Sequence, residues 1–316
     1  MEREERELLD RTLARVTAEH SGPGLDAALD ALGWSAALAT DPATAVALLF
    51  EHQGRAGATS GALDDVLADA LGVPTGALVL PDLGQWDPPG RAEAGRVDVA
   101  GLATCRLQER DTALVPTRGP SGMEVVELKT SELQLRGVDG IDPGLGLTVV
   151  TGGAVLGGST AVDADRWAMS VRRGRMATGH ELVGLSAAML ELARSHALDR
   201  EQFGRPIASF QAVRHRLADT FVAVESARSL LLAGWEDGSE VTAAMAKAVA
   251  GRVARTAMRH CQQVLAGIGF TTEHPLHRYV RRALVLDELF GSSRTLTASL
   301  GRDVLAGRQL PPALPL

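Results

Sequence analysis

Between Asp163 and Ala306 apolar residues recur at helical spacing in four long runs, 163–198, 209–235, 240–267 and 277–305. Four segments of this length joined by short loops predict an antiparallel helical bundle. Aromatic residues make up only 3% of the chain, so Ala, Leu and Val must build the core. Small side chains let helix backbones approach closely, which suits such a bundle.

The rest of the 316 residues divides by texture. Residues 1–73 read as an N-terminal helical domain. Leu8, Leu9, Leu13 and Val16 mark one helix, and Leu25, Ala28, Leu29 and Leu32 a second that stops at Gly33. Asp41-Pro42 opens a third, running to about Gly54, with proline at a permitted first-turn position. Gly61 to Leu71 gives a fourth. From 74 to 160 the apolar runs are short and separated by Pro/Gly turns, the pattern of a small β-domain. No strand–helix alternation appears, so a doubly wound sheet is not expected. The bundle occupies 161–316. The predicted fold class is mostly α with a small central β-domain.

A net charge of −7 argues against nucleic-acid binding, which needs a basic footprint. Two cysteines, Cys105 and Cys261, are too few for a disulfide framework or a zinc site. The charged, amphipathic start of the chain is not a signal peptide, and no apolar run is long enough for a membrane span. A cytoplasmic location is therefore expected.

Generic motifs fail. Gly152 to Ser159 resembles a phosphate loop, but Gly158 stands where lysine is needed, and the stretch reads as a strand-to-helix hinge. His180-Glu181 starts a metalloprotease-like pattern that Gly184 ends. His274 and His277 lack a third ligand, and no metal site is expected.

One stretch carries a signal: Arg200-x-Gln202-Phe203-Gly204-x-Pro206-Ile207-x-x-Phe210-Gln211. A helix ends near Arg200, Gly204 permits a sharp turn, Pro206 blocks helix and Ser209 is placed to cap the next one. The corner offers a guanidinium, an amide and aromatic rings, and arginine's planar fork suits a pyrophosphate. The stretch resembles the R-x-Q-F-G-x-P-I-x-x-F-Q hallmark of the acyl-CoA dehydrogenase family. Gln263 to Thr271 is similar to the family's Q-x-x-G-G-x-G-F-T, with Ala266 for the first glycine. The stretch from His274 to Ala283 resembles E-x-P-x-x-R-x-x-R-D-A, with Arg282 for the usual aspartate. Ala31-Leu32-Gly33-Trp34 is similar to an N-terminal E-L-G-W.

The resemblance implies N-terminal helices, a β-domain and a C-terminal four-helix bundle. It also implies FAD as cofactor, extended between two subunits, and an acyl-CoA substrate desaturated at its α,β bond. Arg200, Gln202 and Phe203 would reach a partner's FAD, with Phe210 and Gln211 near the adenine end. Gln263 and Gly267 match another FAD-contacting turn, and Arg175 matches a substrate-binding arginine. An electron-transfer protein and a tetrameric assembly follow from the same resemblance.

Three departures limit that carry-over. Phe290 holds the position of the common catalytic glutamate. The alternative glutamate, one residue before Arg175, is Gly174. The β-domain lacks the T-E-P-x-A-G-S-D and W-I-T-N-G segments that hold the flavin ring. Glu181 remains as a candidate base: Leu185, Ala188 and Leu192 place it on an apolar stripe, and burial raises a carboxyl pKa. The bland alternative is a structural glutamate. These losses resemble the short, degenerate subunits of heteromeric α2β2 bacterial acyl-CoA dehydrogenases from steroid side-chain degradation. The resemblance implies first an acyl-CoA dehydrogenase-like flavoprotein subunit sharing its FAD site with a partner; the alternatives are a catalytically silent subunit completing a partner's FAD site and a non-redox enzyme such as a thioester dehydratase.

Overall fold

The computed structural model describes residues 1–120, 122–155 and 158–307. Five helices come first: α1 (Arg3–Glu19), α2 (Pro23–Ala31), α3 (Trp34–Thr40), α4 (Pro42–Ala56) and α5 (Ala62–Leu71). The separate α3 was not legible, because Leu32-Gly33-Trp34 reads as a stop with no new periodic run behind it. Asp41 caps α4 by accepting from the Thr44 amide, with Pro42 in the first turn.

A mixed sheet follows, built from β1 (Val79–Leu80), β2 (Gly90–Glu93), β3 (Arg96–Ala103), β4 (Thr112–Gly119), β5 (Gly122–Lys129), β6 (Gln134–Gly137), β7 (Thr148–Val155) and β8 (Ser159–Val162). Its order is β6-β7-β3-β2-β4-β5-β8, with β1 added on β3. Only β2 and β4 pair in parallel among these strands. The stretch expected to be a hinge is corrected: Gly152–Val155 pairs with Arg96–Val99 inside the sheet, and Ser159 opens β8. Leu156 and Gly157 lie outside the described residues.

The bundle begins with α6 (Ala164–Asp199), the central and longest helix. A two-residue ribbon, β9 (Glu201–Gln202) and β10 (Arg205–Pro206), leads to α7 (Gln211–Asp237) and α8 (Glu240–Leu265). The fourth expected segment is broken into α9 (Leu276–Glu288) and α10 (Ser293–Leu305). The break lies at Leu289–Ser292, where Phe290 and Gly291 take positive φ. Ser209 is not the cap of α7: it closes a short 3-10 turn, and Phe210 occupies the cap position without a side-chain bond.

One apolar core runs from the N-terminal helices through α6 to α8 and α9, and a second fills the inner face of the sheet. The crossing of α4 on α6 depends on two glycines. A Cβ on Gly184 would sit 2.1 Å from the Glu51 carbonyl oxygen, and one on Gly54 would sit 2.2 Å from that of Glu181. Either would force the helices apart. Among the described residues no helix is long and apolar enough to cross a membrane.

Candidate functional site

Phe290 and Gly174 are 116 positions apart in the chain and face each other in space. A Cβ added to Gly174 would lie 2.7 Å from Phe290 Cζ and 2.8–2.9 Å from both Cε atoms. The two alternative base positions of the resembled family therefore converge on one spot. Here an aromatic ring fills that spot over a bare helix backbone. Phe290 is only 2% exposed.

A buried network sets the turn that aims this ring. Lys247 of α8 is fully buried, and its Nζ donates to the carbonyls of Leu286 (3.1 Å) and Asp287 (2.9 Å). These are carbonyls of the last turn of α9, where a cation is favoured. Burial lowers the Lys247 pKa to about 8, opposed mainly by the Asp287 charge. Asp287 in turn accepts from the Ser293 amide and hydroxyl, both at 3.0 Å, and from Arg255 at 2.8 Å. It ties the end of α9 to the start of α10 across the break. Periodicity did not single out Lys247; the available signal was a lone charge on the Ala243–Ala246–Ala250 stripe.

Arg175, the expected substrate-binding arginine, is buried and engaged. Its Nε donates to the Phe290 carbonyl at 3.2 Å, its guanidinium lies 5.2 Å from the Trp86 ring centroid, and Nη1 is 3.6 Å from Glu240. Trp86 also closes over the break, since a Cβ on Gly291 would meet Trp86 Cε3 at 3.0 Å. The cleft left beside Arg175 measures about 60 Å³, far below the ~300–1,000 Å³ usual for ligand sites.

Glu181 lies seven residues beyond Gly174 on α6, hence roughly 10 Å along the axis. It is 3% exposed, and burial pushes its carboxyl up to about 7, against the opposing pull of Arg282 and the Gln53 amide. Its Oε1 has no hydrogen-bond partner. Beside it, Gln53 accepts from Ser60 at 2.6 Å, and Arg282 binds Asp142 at 2.6 Å. The structure thus places Glu181 among α4, α9 and the 142 turn, apart from the Phe290–Gly174 contact.

The remaining expected residues gather at the end of the bundle where α6 and α8 finish and α7 begins. The β9–β10 ribbon projects Gln202 and Phe203 outward; Phe203 is 92% exposed and takes a φ of +55°. Its ring meets Phe210 edge-on at 6.1 Å, and Arg205 stacks on Phe210 at 4.5 Å. Arg200 caps α6 with an exposed side chain, and Gln211 starts α7. Gln263 is exposed in the last turn of α8, and Gly267 follows in a 3-10 turn with open space where a side chain would stand. Ala266, in the place of a glycine, holds a φ of +51°. The two turns share an apolar floor of Ala193, Ala197, Cys261, Val264 and Leu265, packed with Ile207 and Ala208. The Arg200 guanidinium, the Gln202, Gln211 and Gln263 amides, the Phe203 ring and the bare Gly267 backbone are all exposed on this end, with the Gln202 amide donating to the Glu201 carbonyl at 2.7 Å. These groups fit a pyrophosphate-bearing cofactor held from one side.

Residues 166–305 match the model of the acyl-CoA dehydrogenase C-terminal domain. The chain is 28% identical to acyl-CoA dehydrogenase IpdE2 of Mycolicibacterium smegmatis, across 95% of this chain and 99% of that protein. It is 38% identical to acyl-CoA dehydrogenase FadE34 of Mycobacterium tuberculosis, over 36% of this chain and 17% of that one. A variant of the Tcur3481–Tcur3483 steroid ACAD superposes with a TM-score of 0.81 at 20% identity, covering 96% of this chain and 98% of that one. The ChsE4–ChsE5 complex from Mycobacterium tuberculosis gives 0.71 at 22% identity, covering 98% and 89%. With helices, sheet and bundle in the same order and the motif-bearing turns in place, the chain has the acyl-CoA dehydrogenase fold, and residues 166–305 form that family's C-terminal domain.

Proposed function

We propose that this chain is the cofactor-completing, catalytically silent subunit of a heteromeric acyl-CoA dehydrogenase. The observation that carries this reading is the Phe290 ring packed on Gly174, which occupies the place of both alternative bases. A phenyl ring cannot take an α-proton, and Arg175 beside it is committed to the Phe290 carbonyl and Trp86. The end of the bundle leaves Arg200, Gln202, Phe203, Gln211 and Gln263 exposed toward a FAD shared with a partner subunit. Arg200 would hold the pyrophosphate through charge-assisted bonds. Gln202, Phe203 and the Gly267 turn would orient the rest, with Phe210 and Gln211 toward the adenine. When bound, FAD supplies a hydride acceptor for α,β-desaturation of an acyl-CoA, and the partner supplies the base. The assembly on this reading is a heterotetramer reoxidised by an electron-transfer protein.

Co-expression with a longer acyl-CoA dehydrogenase homologue as candidate partner tests the reading. The expected result is a colourless chain alone and a yellow complex with half as many flavins as chains. A chain that is yellow and desaturates acyl-CoA by itself overturns the silent role. A complex that stays colourless would instead favour a non-redox enzyme on this fold.

A further inference from the structure

A cleft of about 290 Å³ lies where the three parts of the molecule meet. Its walls come from the loop after α4, the turn at Asp142–Gly144 and the first half of α9. Basic residues dominate it: His277, Arg278, Arg281 and Arg282, against the single carboxylate Asp142. Three guanidinium charges less one carboxylate leave two positive charges, before any from His277.

Arg282 is built into the cleft rather than laid on its surface. It is 6% exposed, with Nε on Asp142 at 2.6 Å and Nη1 on the carbonyls of Gly57 (3.2 Å) and Ala58 (2.6 Å). Its third nitrogen, Nη2, makes no hydrogen bond among the described residues and lies toward Gly144 in the cleft wall. Arg278 and Arg281 are exposed and form no ion pair among the described residues. Spacings of three and four along α9 bring all three guanidinium groups to one face, where like charges repel unless a counter-ion joins them. Arg282 stands where the family motif carries aspartate. With that aspartate the same cleft would be neutral, two arginines against two carboxylates. The charge is therefore a property of this chain's own departure. The buried Glu181 beneath adds less than a full negative charge near neutrality, its carboxyl being pushed up to about 7.

We propose that this cleft binds a small phosphate-bearing anion, held by Arg278, Arg281 and the free edge of Arg282. Guanidinium forks match the oxygens of phosphate, and the cleft volume suits a phosphate group with a short ester chain. A ligand there fastens α9 to the N-terminal helices and the β-domain turn at once. This site is separate from the bundle end assigned to the flavin, so the two readings fail independently.

The test is titration calorimetry on the full chain with inorganic phosphate and with glycerol 3-phosphate, at ionic strength fixed with chloride. Saturable one-to-one binding is expected, with a melting temperature that rises with ligand concentration. Tighter binding of the ester identifies an organic phosphate as the natural ligand, and equal binding identifies free phosphate. Arg278→Ala/Arg281→Ala, which touches only exposed side chains, should raise Kd tenfold or more through the lost charge-assisted bonds. Flavin content of the complex should not change. The proposal is overturned by absence of saturable binding, by chloride matching phosphate, or by a double variant that binds as tightly as the parent.

Discussion

Substituting Gly174 by alanine asks directly whether the Phe290 ring has replaced the pocket. The added Cβ would lie 2.7–2.9 Å from three ring atoms. The ring cannot swing away, being 2% exposed and fixed through a backbone turn held by Lys247, Asp287 and Arg175. Overpacking of this kind costs about 1–3 kcal/mol. Alanine in place of glycine inside a helix returns about 1 kcal/mol through propensity, so the net change is a loss of up to about 2 kcal/mol. Phe290→Ala alone should cost about 3–5 kcal/mol by opening a cavity. In that background the clash is gone, and Gly174→Ala should stabilise by about 1 kcal/mol. The sign reverses between backgrounds, and the coupling energy is about 1–3 kcal/mol. Urea unfolding followed by circular dichroism reads all four proteins, provided the m-value is constant. If Gly174→Ala stabilises equally with and without the Phe290 ring, the two do not touch and the plugged-site reasoning fails.

Other predictions rest on separate residues. Glu181 has a folded pKa near 7 against 4.5 when unfolded, so the native chain binds the extra proton between those values and stability falls as pH rises through that window. Glu181→Gln should remove that slope and stabilise by about 3 kcal/mol at pH 8 relative to pH 4, read from unfolding midpoints at both pH values. The same variant should leave most activity of the reconstituted complex, because the partner supplies the base on this reading; loss of a general base would instead cost ~10²–10⁴ in rate. A drop of that size with flavin content unchanged would make Glu181 the base. Arg200→Ala should weaken FAD binding in the complex by about 1.5–3 kcal/mol, with only partial recovery in Arg200→Lys, measured by flavin fluorescence; wild-type affinity in both excludes Arg200 from the cofactor. Lys247→Met leaves two buried carbonyls without their donor and should cost about 2–4 kcal/mol in urea unfolding, whereas no loss would remove it from the turn that aims Phe290.

The helices α1, α2, α4, α5, α6, α7 and α8 and the strand-rich texture of 74–160 were legible because periodicity is a local property of neighbouring residues. The exposed corner at Arg200–Gln211 was legible too, since its turn chemistry and its motif lie in one continuous stretch. What escaped was set by contacts distant in sequence. The strand β7 looked like a hinge because glycines break its side-chain alternation, and only pairing with β3 makes it a strand. The break between α9 and α10 is fixed by Lys247 and Asp287, 40 residues apart, reaching across the bundle. Reading along the chain was enough to see that Gly174 and Phe290, which the resemblance aligns with the usual bases, carry no carboxylate. That the two positions are one place, with the ring of one filling the space over the other, comes from the packing of α6 against the α9–α10 break. A side chain's absence is written in one position, but the occupation of a pocket depends on which distant segments the packed core brings together.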